Sequence, residues 1–135
     1  MSKNEKKKKN VIQLTYRIFT DGQFLSAYRV LLNIRDPKDF KELKKVLDFV
    51  RKIDYHKDMY LEMLRKLQED SGELNKMTNR YSYPDEETEK KVQERVDELL
   101  EVPFELDHTP VSLDDDILKR LTVSEILGID RFFII

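Results

Sequence analysis

PKDFKELKKVLDFVRKIDYHKDMYLEMLRKLQED, residues 37–70, is the stretch on which the fold turns. Phe40, Leu43, Leu47, Val50, Tyr60, Leu61, Leu64 and Leu67 are spaced along it as one apolar seam, with Lys, Arg, Asp and Glu between them. Steps of three and four residues are the mark of an amphipathic helix. The seam thins at Asp54, His56 and Lys57, where a bend or a slip of phase is expected. At 1.5 Å per residue such a helix spans roughly 50 Å, more than a domain of this size can bury. It is therefore expected to lie along a partner helix or to project from the body, and a projecting helix suits binding better than chemistry.

Working outward, Asp36-Pro37 opens this helix, an Asp cap before a proline in the first helical position, and Ser71-Gly72 stops it. Residues 73–83 carry little pattern. Pro84-Asp85 then starts a helix with Val92, Val96, Leu99 and Leu100 on one face, and its early acids Asp85, Glu86 and Glu87 suit the positive end of the helix dipole. The two helices read as an antiparallel hairpin over about residues 37–101. Upstream, Ile12, Leu14, Tyr16 and Ile18 alternate with Gln13, Thr15 and Arg17, which predicts a strand over 11–19. Asp21 caps a helix reaching about Asn33, with Phe24, Leu25, Tyr28, Leu31 and Leu32 as its stripe. Downstream, Val102, Phe104, Leu106 and His108 alternate and predict the partner strand. Ser112 is the expected cap of a short helix holding Ile117, Leu118 and Leu121. Thr122 and Glu125 have the spacing of a capping box for a last apolar piece with Ile126, Leu127, Ile129, Phe132 and Phe133.

The fold class read from this order is α+β, mainly α: a long antiparallel helical hairpin on a small two-stranded antiparallel sheet, with a C-terminal helical closure. One domain is expected over 11–135, behind a basic tail at 1–10 that cannot bury anything and is expected to be disordered alone. Charged and hydrophobic residues each make up 39% of the 135 residues, so the core is narrow, and a net charge of −2 gives no global pull toward nucleic acid. With no cysteine there is no thiolate or disulfide chemistry. No apolar run approaches 18 residues, so no membrane span is expected. The start, MSKNEKKKKN, has no apolar segment behind its lysines and does not read as a secretory signal.

The chemical inventory is close to empty. His56 and His108 lie in different elements without a second histidine at ligand spacing, which makes them surface or boundary residues rather than zinc ligands. Asp114, Asp115 and Asp116 read as first-turn acids behind Ser112, not as a cation site. Pro84-Asp85 with Glu89 and Lys91 has the letters of a metal-nuclease motif, but all four fall within about two helical turns, whereas that chemistry needs acids on neighbouring strands. Glycine-rich phosphate loops and nucleophile elbows are missing. No catalytic, cofactor-binding or metal residue is therefore assigned, and the chain is expected not to be an enzyme. Two binding signals stand out. Tyr55, Met59, Tyr60 and Met63, with Arg65, form a candidate protein-binding face on the long helix, because aromatics, Met and Arg are enriched at interfaces. Lys6, Lys7, Lys8 and Lys9 form a candidate phosphate-contacting tail, supported by Lys41, Lys44, Lys45, Arg51, Lys52, Arg65 and Lys66 and diluted by Asp48, Asp54, Glu62 and Glu69 on the same helix.

Leu31-Leu32-Asn33, Phe40 with Lys44 and Lys45, Glu98-Leu99-Leu100, Phe104-Glu105-Leu106, Pro110-Val111, Leu121-Thr122, Glu125-Ile126, Ile129 and Phe132-Phe133 follow one another in a characteristic order. In this order the chain resembles a family of small, uncharacterised proteins of tailed bacteriophages and prophages. The lysine tail and residues 73–83 have no counterpart in it. The resemblance implies a strand, a Leu-rich helix, a Lys-rich and Glu-rich helical hairpin, an exit strand and a small apolar helix. It also implies a viral accessory or assembly role, in the bacterial cytoplasm or the virion, and supplies no catalytic residues. The leading expectation is thus a non-enzymatic protein–protein interaction or assembly module whose partner is a phage structural or host protein. The rivals are a nucleic-acid-associated protein using the lysine tail and a phage protein that modulates a host enzyme. Self-association, two hairpins forming a four-helix bundle, is a further expectation.

Overall fold

A computed structural model of the chain describes residues 11–34 and 39–135. Strand β1 (Val11–Thr15) passes through a 3-10 turn (Tyr16–Thr20) into helix α1 (Gly22–Leu32). Helix α2 (Phe40–Ser71) follows, 32 residues without a break. Strands β2 (Glu73–Asn75) and β3 (Arg80–Ser82) form a hairpin joining it to α3 (Glu86–Leu100). Then come β4 (Pro103–Asp107), β5 (Val111–Ser112), the short helices α4 (Asp115–Leu118) and α5 (Val123–Ile129), and β6 (Phe133–Ile134). The fold is α+β, mainly α. β1 and β4 pair antiparallel, Ile12 opposite Leu106 and Leu14 opposite Phe104, and the helical hairpin of α2 and α3 stands on this small sheet. The C-terminal helices close the other side, with α5 seated against α1.

Asp39 caps α2, its carboxylate accepting from Lys41 N at 2.9 Å and Glu42 N at 3.4 Å. The opening expected at Asp36-Pro37 lies outside the described residues. The buried stripe of α2 is Val46, Phe49, Val50, Ile53 and Tyr60, whereas Phe40 is 76% exposed and Leu61 is also exposed. Val50 and Tyr60 of the expected seam are therefore buried and Leu43, Leu47, Leu64 and Leu67 half-buried, while the centre of the stripe is shifted to Val46, Phe49 and Ile53. No break appears at Asp54–Lys57, because each polar residue there is accommodated. Asp54 accepts a hydrogen bond from the Tyr28 hydroxyl, the His56 ring stacks on Phe104 at 4.5 Å, and Lys57 Nζ lies 5.4 Å from the Tyr28 ring centre.

Three local expectations are corrected. The strand expected over 11–19 ends at Thr15, and the 3-10 turn buries Phe19 as well as Tyr16 and Ile18, which strict alternation would not allow. Residues 73–83 are a hairpin rather than an unpatterned linker. Asn75 Oδ1 accepts from Met77 N at 2.9 Å and Thr78 N at 3.3 Å, and Asn79 takes the left-handed conformation (φ 56°) that closes the turn. Ser112 lies in β5, which pairs parallel with β6, and Asp114 caps α4 instead, accepting from Ile117 N at 2.9 Å. On α1 the stripe is Phe24, Ala27, Tyr28 and Leu31, with Leu32 exposed. The capping box at Thr122 and Glu125 forms as read, with both reciprocal bonds in place.

Two groups of rings fill the core. Tyr16, Phe19, Tyr60 and Phe104 stack beside the sheet. Phe49, Phe132 and Phe133 surround His108, and Phe24 packs on the far side of Phe132. His108 is buried, not at the surface, and its Nε2–H donates to the Phe132 carbonyl at 2.7 Å.

Candidate partner-binding arm

The last core residue on α2 is Tyr60 and the first on α3 that joins the same core is Leu99. Between them the chain runs out along α2, through β2 and β3, and back along α3. Among these described residues Val92 alone is buried, while Met63, Leu64 and Leu67 lean on the core from outside. The eleven α2 residues past Tyr60 extend about 16 Å. This is the arm: a helical pair with a hairpin across its end and hardly any interior of its own.

The structure splits the five residues of the expected protein-binding face. Tyr55 is 63% exposed and Met59, one turn on, is also exposed, so the two share one flank of α2. Tyr60 is buried, with ring centres 5.5 Å from Tyr16 and 5.8 Å from Phe19, and burial raises its phenol above the ordinary tyrosine value. Met63 is half-buried against the core. Arg65 bridges Glu69 at 3.0 Å and Glu62 at 2.6 Å, and these two carboxylates hold its guanidinium above the usual arginine range.

On the opposite flank α2, α3 and the hairpin, whose part in it the sequence reading missed, enclose a groove of about 600 Å³. Leu61, 46% exposed, and Leu74, 42% exposed, stand at it with Tyr81, Val92 and Val96, and Arg65 and Glu89 add charge. Leu61 is two residues from Met59, or about 200° round the helix, so the arm presents apolar side chains on two separate faces. The missed signal was the alternation of Tyr81 and Tyr83 about Ser82, paired with Leu74 across the turn. Tyr83 is raised first by burial and then by Glu89. Gly72 has its neighbour close: a Cβ there would meet the Tyr83 ring at 2.7 Å and Ser82 O at 2.9 Å.

Lys6, Lys7, Lys8 and Lys9 lie outside the described residues. Lys44 pairs with Asp48 at 3.0 Å and Lys45 with Glu42 at 3.8 Å, so much of the basic character of α2 is answered within the helix. Among the described residues no three His, Asp or Glu side chains gather as a metal site, and no helix is long and apolar enough to cross a membrane. Burial lowers His56 and His108 below the ordinary histidine value. Comparison with protein-family models, with curated proteins and with solved structures gives no match to this chain.

Proposed function

We propose that the protein is a non-enzymatic protein–protein interaction or assembly module that presents its helical arm to a protein partner. One observation carries this reading: an unbroken 32-residue helix continues eleven residues past its last core side chain and leaves Leu61 and Leu74 exposed beside a groove. Apolar side chains held on an arm without its own core cost solvation unless another molecule covers them. Tyr55 and Met59 supply a second exposed face of the composition that interfaces favour. The residue order from Leu31-Leu32-Asn33 to Phe132-Phe133 supports a tailed-phage or prophage setting, with an accessory or virion-associated role and a phage structural or host protein as partner. The nucleic-acid reading draws mainly on the lysine tail, since Lys44, Lys45 and Arg65 of α2 are paired within the helix.

The test is capture from a bacterial lysate by the full chain and by two double variants, Leu61→Gln with Leu74→Gln and Tyr55→Ala with Met59→Ala. Exposed substitutions of this kind shift stability by about 0.5 kcal/mol or less, or about 2 °C in Tm for a chain of this size. At least one pair is expected to lose the captured protein while melting within that margin. Unchanged capture by both pairs would contradict the proposal.

A further inference from the structure

The two edges of the β1–β4 sheet are treated unequally. Tyr16 N donates to Val102 O at 3.2 Å, which extends the ladder by one pair and fixes its phase. Bonded and non-bonded pairs alternate in an antiparallel ladder, so Ile12 and Leu14 bond to β4 while the main-chain groups of Val11, Gln13 and Thr15 point away from it. On β4 the outward residues are Pro103, Glu105 and Asp107, and that edge is closed. Pro103 has no N–H, Lys52 Nζ donates to the Asp107 carbonyl, and the His56 ring lies against the Glu105 main chain. β1 has no such cover among the described residues. The Thr15 carbonyl turns into the 3-10 turn that Thr15 caps, but the N–H and C=O of Val11 and Gln13 and the N–H of Thr15 have no partner there. Nor does β1 carry the charged side chains that guard most sheet edges, since its sequence VIQLT is uncharged. A groove of about 640 Å³, with Gln13, Leu14 and Thr15 in its wall, leaves room beside the strand.

We propose that the outer edge of β1 pairs antiparallel with β1 of a second copy, about a two-fold axis at Gln13, so that the two sheets join as one. The outward residues Val11, Gln13 and Thr15 are symmetric about that axis, as a contact between identical surfaces requires. Gln13 of each copy exchanges both main-chain bonds with Gln13 of the other, and each Thr15 N–H meets the second copy's Val11 carbonyl. On the core face Ile12, half-buried in one copy, comes beside the second copy's Leu14. On the other face Gln13 Nε2 donates to Glu105 at 3.1 Å, which leaves one amide N–H and the amide oxygen to match those of the second copy's Gln13. The two Glu105 carboxylates then stand on the outermost strands, about 14 Å apart and beyond a Debye length at 0.1 M salt. No like charges meet across the join, whereas β2, β3 and β4 all carry charge. The groove does not oppose a neutral strand, because Arg17 is paired with Glu101 and Arg131 is offset by Asp21. So short a join makes a weak dimer. This edge is distinct from the arm, and the proposal stands whether or not the arm binds a partner.

The experiment is sedimentation equilibrium of the full chain from micromolar to millimolar concentration, where the wild type is expected to dimerise. Gln13→Lys and Gln13→Glu each set like charges at the axis and should raise the dissociation constant about fivefold. Mixing the two variants should restore the dimer, because lysine then faces glutamate; this rescue requires residue 13 of one copy opposite residue 13 of the other. In 15N-labelled wild type the amides of Gln13 and Thr15 should gain exchange protection as concentration rises. Leu61→Gln with Leu74→Gln, on the arm, should dimerise as the wild type does. A chain still monomeric at millimolar concentration, a dimer that Gln13→Lys leaves unchanged, or a mixture no tighter than its components would overturn the proposal. Loss of the dimer in the Leu61 and Leu74 double variant would overturn it too, by placing the contact on the arm.

Discussion

Gly128 is where one methyl group decides how two helices meet. A Cβ added there would lie 2.5 Å from the carbonyl carbon of Gln23 and 2.7 Å from Phe24 N, backbone atoms that cannot rotate aside. Gly128→Ala should therefore cost about 1–3 kcal/mol in urea denaturation, despite the gain of about 1 kcal/mol in helix propensity. A neutral or stabilised variant would mean that α5 is not seated on α1. His108 sets a second expectation at this scale. Burial favours its neutral imidazole, so below about pH 6.5 the unfolded chain binds a proton that the native state resists. Stability is then fully present above that pH and falls as pH drops through the histidine range, and His56 acts in the same direction. The urea midpoint should decrease between pH 7 and pH 5, with a smaller slope in His108→Gln; a flat profile would refute it. The Thr122–Glu125 cap was legible because it is made within one turn. The burial of His108 was not, since its acceptor is the carbonyl of Phe132, 24 residues on.

At the scale of elements, α2 was legible as a helix but not in its rotation. The leucines suggested a seam roughly a quarter of a turn from the stripe that is buried in its first half, because amphipathicity gives a helix an apolar side while its neighbours decide the centre. Here the neighbours include α1, β4 and the C-terminal rings Phe132 and Phe133, which pack on Phe49. The strand pairing of β1 with β4 was readable from two alternating runs. The hairpin at 73–83 was not, since three-residue strands are too short for a period and its turn uses Asn79 where glycine would have announced it. Asn75→Ala removes the acceptor of Met77 N and Thr78 N, and it should speed exchange of those two amides while leaving Tm unchanged. A fall of several degrees would show that the hairpin supports the core.

For the whole molecule, the order of the main helices, the β1–β4 pairing and the presence of an arm followed from the sequence, because a long helix outruns a narrow core whatever its rotation. The face the arm presents did not follow, because the groove depends on the hairpin crossing its end. The central physical claim is that the arm extends past the cooperative core. Native-state hydrogen exchange along α2 tests it most directly. Amides from Val46 to Tyr60 should exchange through global unfolding, and those from Glu62 to Ser71 through a local opening at least about 2 kcal/mol cheaper, within the range that sub-global openings span. Equal protection from end to end of α2 would contradict the account.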